Sequence, residues 1–217
     1  MTVFDRIAAI GVVPVVAIDN ADRAVDLADA LAEGGLPIAE ITFRTDAARD
    51  AIASIAKARP DFFVGAGTVV TAQQVIQTKA AGAQFALAPG TDSAMIEAAQ
   101  AAGLPYAPGI MTPSDLQIAT RLGCRFLKFF PAGLAGGPKM LANIAAPFAH
   151  LGLCFNPTGG IHPSNMGDWL AEPNVRAVGG TWIATRQDIA DGNWAAITQN
   201  ARDAVVQVKA VRESQDV

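Results

Sequence analysis

Eight short apolar runs recur along the chain, at residues 12–18, 38–43, 62–66, 85–88, 106–110, 126–130, 153–155 and 175–178. They are short for helices and too evenly apolar for half-exposed strands, which predicts strands buried on both faces. Between them lie longer, alanine-rich segments with helical periodicity. Several open on a capping residue: Thr71 before Ala72-Gln73-Gln74, Thr112-Pro113 before Ser114-Asp115-Leu116, and Pro163-Ser164 before Asn165-Met166. Gly34-Gly35, Pro60, Gly82, Gly103 and Gly123 close others. Buried strands alternating with helices imply a parallel sheet covered by helices. Eight such units fit a single (β/α)8 TIM barrel over residues 1–217, with an extra short N-terminal helix before the first strand. An open doubly wound sheet is the alternative. The last helix is expected over 194–211, ahead of a frayed polar tail.

The length of 217 residues and an apolar content of 51% suit one domain with a large core. Sixteen basic and twenty acidic residues leave a net charge of −4, and no Lys/Arg-rich run occurs. That argues against a nucleic-acid surface or a polybasic membrane patch, while leaving room for a local cationic pocket. Cys124 and Cys154 sit in apolar surroundings without CxxC spacing, and read as small core residues of a reduced cytosol. His150 and His162 form no metal-binding pattern, so no metal is expected.

Residues 7–18 are nearly continuously apolar, but Asp5 accompanies Arg6, Pro14 interrupts, and Asp19-Asn20 follows. This reads as a helix and a strand rather than a signal peptide. The uncharged stretch from Met140 to Gly167 is punctuated by Pro147, His150, Asn156, Pro157 and Gly159-Gly160, which argues against a membrane span. A cytoplasmic protein is expected.

In a barrel of this kind the chemistry collects at the C-terminal ends of the strands. The run Phe126-Leu127-Lys128-Phe129-Phe130 places one lysine inside apolar sequence. Desolvation there favours a neutral amine, a nucleophile able to form a Schiff base with a carbonyl. The bland alternative is an ammonium that snorkels to water from a strand end. Glu40, Thr42 and Arg44 share one parity, so a strand directs them to the same side. They read either as an acid/base group with a carboxylate clamp or as a structural Glu–Arg ion pair.

Gly65-Ala66-Gly67-Thr68 allows close approach to the backbone, whereas Ala88-Pro89-Gly90 and Ala107-Pro108-Gly109 read more simply as tight turns. Thr158-Gly159-Gly160 and Gly179-Gly180-Thr181 follow the last two runs, each leading toward a helix N-terminus. Together they form a phosphate cradle and point to a phosphorylated small molecule.

Seven blocks then occur in order: Glu-Ile-Thr-Phe-Arg-Thr, Gly-Ala-Gly-Thr-Val, Phe-Ala-Leu-Ala-Pro-Gly, Pro-Gly-Ile-Met-Thr-Pro-Ser, Phe-Leu-Lys-Phe-Phe-Pro-Ala, Pro-Thr-Gly-Gly-Ile and Gly-Gly-Thr-Trp. With them the chain closely resembles, over essentially its whole length, the bacterial 2-keto-3-deoxy-6-phosphogluconate (KDPG) aldolases. These also act as 4-hydroxy-2-oxoglutarate (KHG) aldolases.

The resemblance implies a homotrimeric class I aldolase without metal or cofactor, acting on a keto-acid phosphate and releasing pyruvate. By position, Lys128 is the Schiff-base lysine and Glu40 the proton-transfer residue. Arg44 and Thr68 hold the pyruvate carboxylate, and Pro89 and Phe130 line that pocket. Gly159, Gly160, Gly180 and Thr181 bind phosphate, and Thr158 matches the position favouring the gluconate-derived epimer.

Two departures stand out. Thr181 replaces a frequent serine. Gly133-Leu134-Ala135-Gly136-Gly137 replaces the Glu-Ala-Asn-Gly-Gly of many members, which alters the rim. Two rival readings remain: the same chemistry on KHG or the galactonate epimer, and a phosphosugar-binding barrel in which Lys128 pairs with phosphate or with Glu40.

Overall fold

The computed structural model describes residues 1–215. Among them, nine strands run in chain order: β1 (Val12–Val16), β2 (Ile38–Thr42), β3 (Phe63–Gly67), β4 (Ala86–Leu87), β5 (Tyr106–Ala107), β6 (Gly109–Ile110), β7 (Phe126–Phe129), β8 (Cys154–Pro157) and β9 (Val178–Gly180). Ten helices surround them: α1 (Val3–Ile10), α2 (Ala24–Glu33), α3 (Ala48–Ala58), α4 (Ala72–Ala80), α5 (Ser93–Ala101), α6 (Pro113–Arg121), α7 (Gly137–Ala145), α8 (Met166–Leu170), α9 (Arg186–Asp191) and α10 (Trp194–Gln215). Every ladder is parallel, in a six-stranded sheet of order β5-β4-β3-β2-β1-β9 and a three-stranded sheet of order β6-β7-β8. The result is an α/β fold with a curled parallel sheet.

Each apolar run coincides with strand, with three adjustments. The run at 106–110 divides into β5 and β6 because Pro108 has no N–H for the ladder, although its carbonyl still accepts from the Lys128 N–H at 2.9 Å. The run at 153–155 extends to Pro157. In the last run Val175 forms only an isolated bridge to Phe155, and the strand itself begins at Val178.

Helix ends follow local chemistry. Thr71 and Thr112 complete capping boxes with Gln74 and Asp115. Helices α2, α4, α5 and α6 each finish in a left-handed glycine, at Gly35, Gly82, Gly103 and Gly123. The next residue's N–H then returns to a carbonyl in the last turn, as in Leu36 to Leu31 and Leu104 to Ala99, both 2.9 Å.

The start expected at Pro163-Ser164 moves: the cap is Asn165, and α8 has only five residues. The last helix runs four residues beyond the expected end at Val211, so most of the anticipated frayed tail is helical. Residues 216–217 lie outside the described residues.

Thr2 caps α1 with a capping box through Asp5, and Gly11 (φ 85°) turns the chain into β1. Phe4 stacks on Phe126 at 4.8 Å and Arg6 lies 4.3 Å from the Phe63 ring centroid, so α1 packs against the N-terminal ends of β3 and β7. A large cavity of about 1280 Å³ opens at this end, lined by Phe4, Tyr106, Arg125, Phe126 and Arg176 among others. None of the chemistry-bearing residues from the sequence lines it; they lie at the other end. No helix among the described residues is long and apolar enough to cross a membrane.

Candidate active site

All eleven site residues expected from the sequence lie at or past the middle of a strand or within three residues beyond its end. Glu40 is in β2 and Lys128 in β7, which are 88 residues apart in sequence. Lys128 Nζ donates to Glu40 Oε1 at 2.9 Å, and neither residue reaches solvent appreciably: Glu40 is 0% exposed and Lys128 4%. The partner of Glu40 is therefore Lys128. The Glu40–Arg44 ion pair considered from parity does not form, and neither does a snorkelling ammonium. The Phe130 ring lies 5.8 Å from Lys128 Nζ and forms part of its apolar surround.

A buried ion pair is costly to desolvate and adds little stability for its own sake. Other buried polar atoms here are unpartnered. Glu40 Oε2, both amide atoms of Asn156 and Thr158 Oγ1 make no hydrogen bond within the protein. Each such group costs about 1–3 kcal/mol. Their concentration at one place marks it as built for something other than stability.

Arg44 lies just past β2 and is exposed. Its Nε donates to Thr42 Oγ1 at 2.9 Å, and that hydroxyl donates in turn to the Val16 carbonyl at 2.7 Å. Shared parity therefore produces a column of Glu40, Thr42 and Arg44, with Thr42 orienting the guanidinium. Thr68 follows β3 with φ 57°, a left-handed conformation that a β-branched residue adopts only under constraint. Pro89 follows β4 at the same end. The chain at Gly109 passes so close that a Cβ there would lie 2.3 Å from the Pro89 carbonyl carbon.

Thr158 is buried directly after β8 and bridges to Gly179 in β9. Gly159 (φ 93°) and Gly160 (φ 75°) continue into a turn that receives the loop after β7: Ala132 N–H donates to the Thr158 carbonyl at 2.9 Å, and Gly133 N–H to the Gly159 carbonyl at 2.8 Å. Gly180 ends β9, and a Cβ there would meet the Trp182 ring at 2.1 Å. Thr181 is exposed.

The expected helix N-termini are displaced from these glycines. Helices α8 and α9 begin only at Met166 and Arg186 and have five and six residues, so no long helix starts directly at these glycines.

Thr42 carries no assigned role in the sequence pattern, and Asn156 stands there only as punctuation in an uncharged stretch. Asn156 pairs in register with Lys128 across β7 and β8, so both side chains project from the same side of the sheet. A polar residue between the apolar run at 153–155 and Pro157 was the available signal.

Fold and site together belong to the class of lysine-bearing α/β aldolases. The chain is a member of the KDPG and KHG aldolase family, whose profile matches residues 3–200. It is 41% identical over 207 residues to the 2-dehydro-3-deoxy-phosphogluconate aldolase of Haemophilus influenzae, covering 95% of this chain and 97% of that one. It is 43% identical over 194 residues to the KHG/KDPG aldolase of Escherichia coli, covering 89% and 90%. A solved structure of the KDPG aldolase of Legionella pneumophila, with pyruvate captured as a covalent carbinolamine, superposes with a TM-score of 0.88 at 38% identity, covering 93% of this chain and 97% of that one.

Proposed function

We propose that the protein is a class I aldolase that cleaves KDPG to pyruvate and glyceraldehyde 3-phosphate, and also KHG to pyruvate and glyoxylate. The observation that carries this reading is the buried contact between Lys128 Nζ and Glu40 Oε1 at the C-terminal ends of parallel strands.

Proton transfer within that pair leaves an amine whose lone pair attacks the C2 ketone. The carbinolamine hydroxyl takes that proton back from Glu40 and leaves as water, which gives an iminium and restores the Glu40 carboxylate; the iminium accepts the electrons released when C3–C4 breaks. Glu40, through a bound water, takes the C4 hydroxyl proton as the aldehyde departs. It then returns a proton to C3 of the enamine, and hydrolysis frees pyruvate and Lys128. Because the iminium supplies the electron sink, no step in this scheme calls for a metal or cofactor.

Arg44, oriented by Thr42, and Thr68 hold the pyruvate carboxylate, while Pro89 and Phe130 wall the methylene side. Gly159, Gly160, Gly180 and Thr181 receive the phosphate through backbone amides and one hydroxyl. Thr158, buried beside Gly179, faces the C4 hydroxyl and favours the gluconate-derived epimer.

We further infer a closed eight-stranded (β/α)8 barrel preceded by the N-terminal helix α1, as one domain over residues 1–217. In its favour, the chain is continuous through Pro108 between β5 and β6, and the isolated bridges Phe155–Val175 and Thr158–Gly179 join the segments around β8 and β9. A cytoplasmic homotrimer completes the reading. Exposed Met111, Leu134 and Met140, all following β6 or β7, offer apolar surface for subunit contact, and sedimentation equilibrium tests it.

Borohydride treatment with pyruvate tests the chemistry. A reduced adduct that maps to Lys128 is expected; a folded protein that yields none refutes the imine mechanism.

A further inference from the structure

Asn156 is fully buried, yet neither Nδ2 nor Oδ1 has a hydrogen-bond partner in the protein. It stands beside Lys128 in the β7–β8 register, on the same side of the sheet. Two residues on, Thr158 shares its parity, is 3% exposed and has an unpartnered hydroxyl. Glu40 uses one oxygen for the Lys128 amine and leaves Oε2 free.

Unpartnered donors and acceptors thus stand on the residue paired with Lys128, on Thr158 and on the carboxylate that holds the lysine amine, and protein groups satisfy none of them. Sequence patterning favours an apolar residue within β8, so an amide here is a choice against the fold's preference.

We propose that Asn156 is a positioning residue for proton transfer, an inference that rests on the aldolase reading above. Its amide, together with the Thr158 hydroxyl and Glu40 Oε2, holds the relay water between Glu40 and C3 of the lysine-bound enamine. The amide supplies both a donor and an acceptor and so fixes the water's orientation, and being neutral it does not compete with Glu40 for Lys128.

In the step it serves, the Glu40 carboxyl gives its proton to the water, which passes one of its own to C3. The enamine π electrons form the C3–H bond and the nitrogen lone pair restores the iminium. Glu40 is left as carboxylate and the water is regenerated. Run in reverse on pyruvate alone, the same step exchanges methyl protons with solvent.

The test measures two rates on the intact protein: borohydride trapping of pyruvate, which reports imine formation, and deuterium uptake into the pyruvate methyl group, which reports proton transfer. Asn156→Ala is expected to trap pyruvate at close to the wild-type rate while exchange falls about 10- to 100-fold, the range that misplacing a reacting partner produces. Asn156→Ser leaves a space differing by one oxygen and keeps a donor and an acceptor; its exchange is expected to recover to within about threefold of wild type.

A role limited to filling space predicts equal behaviour of the two variants, and that result overturns the proposal. So does wild-type exchange in Asn156→Ala. If Asn156→Ala does not fold, Asn156→Leu fills the space with apolar atoms and must show the same split, trapping kept and exchange lost. A wild-type protein that fails to trap pyruvate overturns the aldolase reading together with this one, a result distinct from normal trapping with normal exchange in the variants.

Discussion

The carboxylate of Glu40 occupies the space that a side chain on Gly67 would need. A Cβ built there would lie 2.1 Å from Glu40 Oε1, the atom that accepts from Lys128. Gly67 ends β3 and pairs with Thr42 in the neighbouring strand, so its backbone cannot retreat without breaking the ladder. Gly67→Ala is therefore expected to displace Glu40 rather than the strand. We expect kcat to fall on the order of 100-fold, with about 1–3 kcal/mol of overpacking lost from stability. Steady-state rates and urea unfolding of the variant check both. Unchanged kcat would show that the carboxylate adapts and that its placement is not critical.

Thr42 is a relay with a measurable consequence. Its hydroxyl accepts from Arg44 Nε at 2.9 Å and donates to the Val16 carbonyl at 2.7 Å. Thr42→Val keeps the shape and removes both bonds. The guanidinium loses its anchor while the Lys128–Glu40 pair stays intact. KM is expected to rise about 3- to 10-fold with kcat nearly unchanged, the worth of one hydrogen bond. A drop in kcat at constant KM would instead place Thr42 in the chemical steps.

How far the sequence carries this site depends on the distance over which each relationship acts. The strands were legible because burial on both faces writes itself as a continuous apolar run. The column of Glu40, Thr42 and Arg44 was legible because parity is local. That Glu40 takes Lys128 as its partner entered only within a rival reading, since 88 residues separate them and only the curl of the sheet brings them to 2.9 Å.

The same holds for Gly67, whose lack of a side chain reads as turn chemistry until the carboxylate beside it is seen. Asn156 was passed over because an amide in a stretch rich in proline and glycine looks like a breaker, whereas the register with Lys128 turns it inward. Helices α8 and α9 start later than the glycine pairs suggest, as paired glycines signal a turn without fixing where the next helix begins.

Tyr106 is the chain's single tyrosine and gives a direct optical handle on alkaline stability. Burial, with smaller contributions from the charges of Asp92 and Cys124, raises its hydroxyl well above the ordinary value of 10.0. Above pH 10 the unfolded chain releases this proton and the native chain keeps it. Stability is therefore fully present below the unfolded value and declines as pH rises beyond it, by up to about 1.4 kcal/mol per pH unit from this residue. Tyrosinate absorbance is expected to appear only with unfolding. Tyr106→Phe gives up the bond to the Val69 carbonyl (3.3 Å) and starts less stable, but its decline above pH 10 is shallower by that slope. Parallel declines in the two proteins would assign the alkaline transition to other groups.

The Lys128–Glu40 pair separates function from stability in a way a double variant can expose. Both side chains are buried, 5% and 0% exposed, so removing one partner leaves the other as an uncompensated buried group. Lys128→Met and Glu40→Leu are each expected to cost about 3–5 kcal/mol in urea unfolding. The double variant removes both charges and places apolar atoms where the pair lay. It is expected to be more stable than either single variant, so the coupling energy must exceed the cost of either single change. Turnover and pyruvate trapping disappear in Lys128→Met and in the double variant alike. Recovered stability with no recovered activity would show that the pair is kept for its chemistry at a cost to the fold. A double variant as unstable as the sum of the singles would mean that the two residues contribute to the core independently.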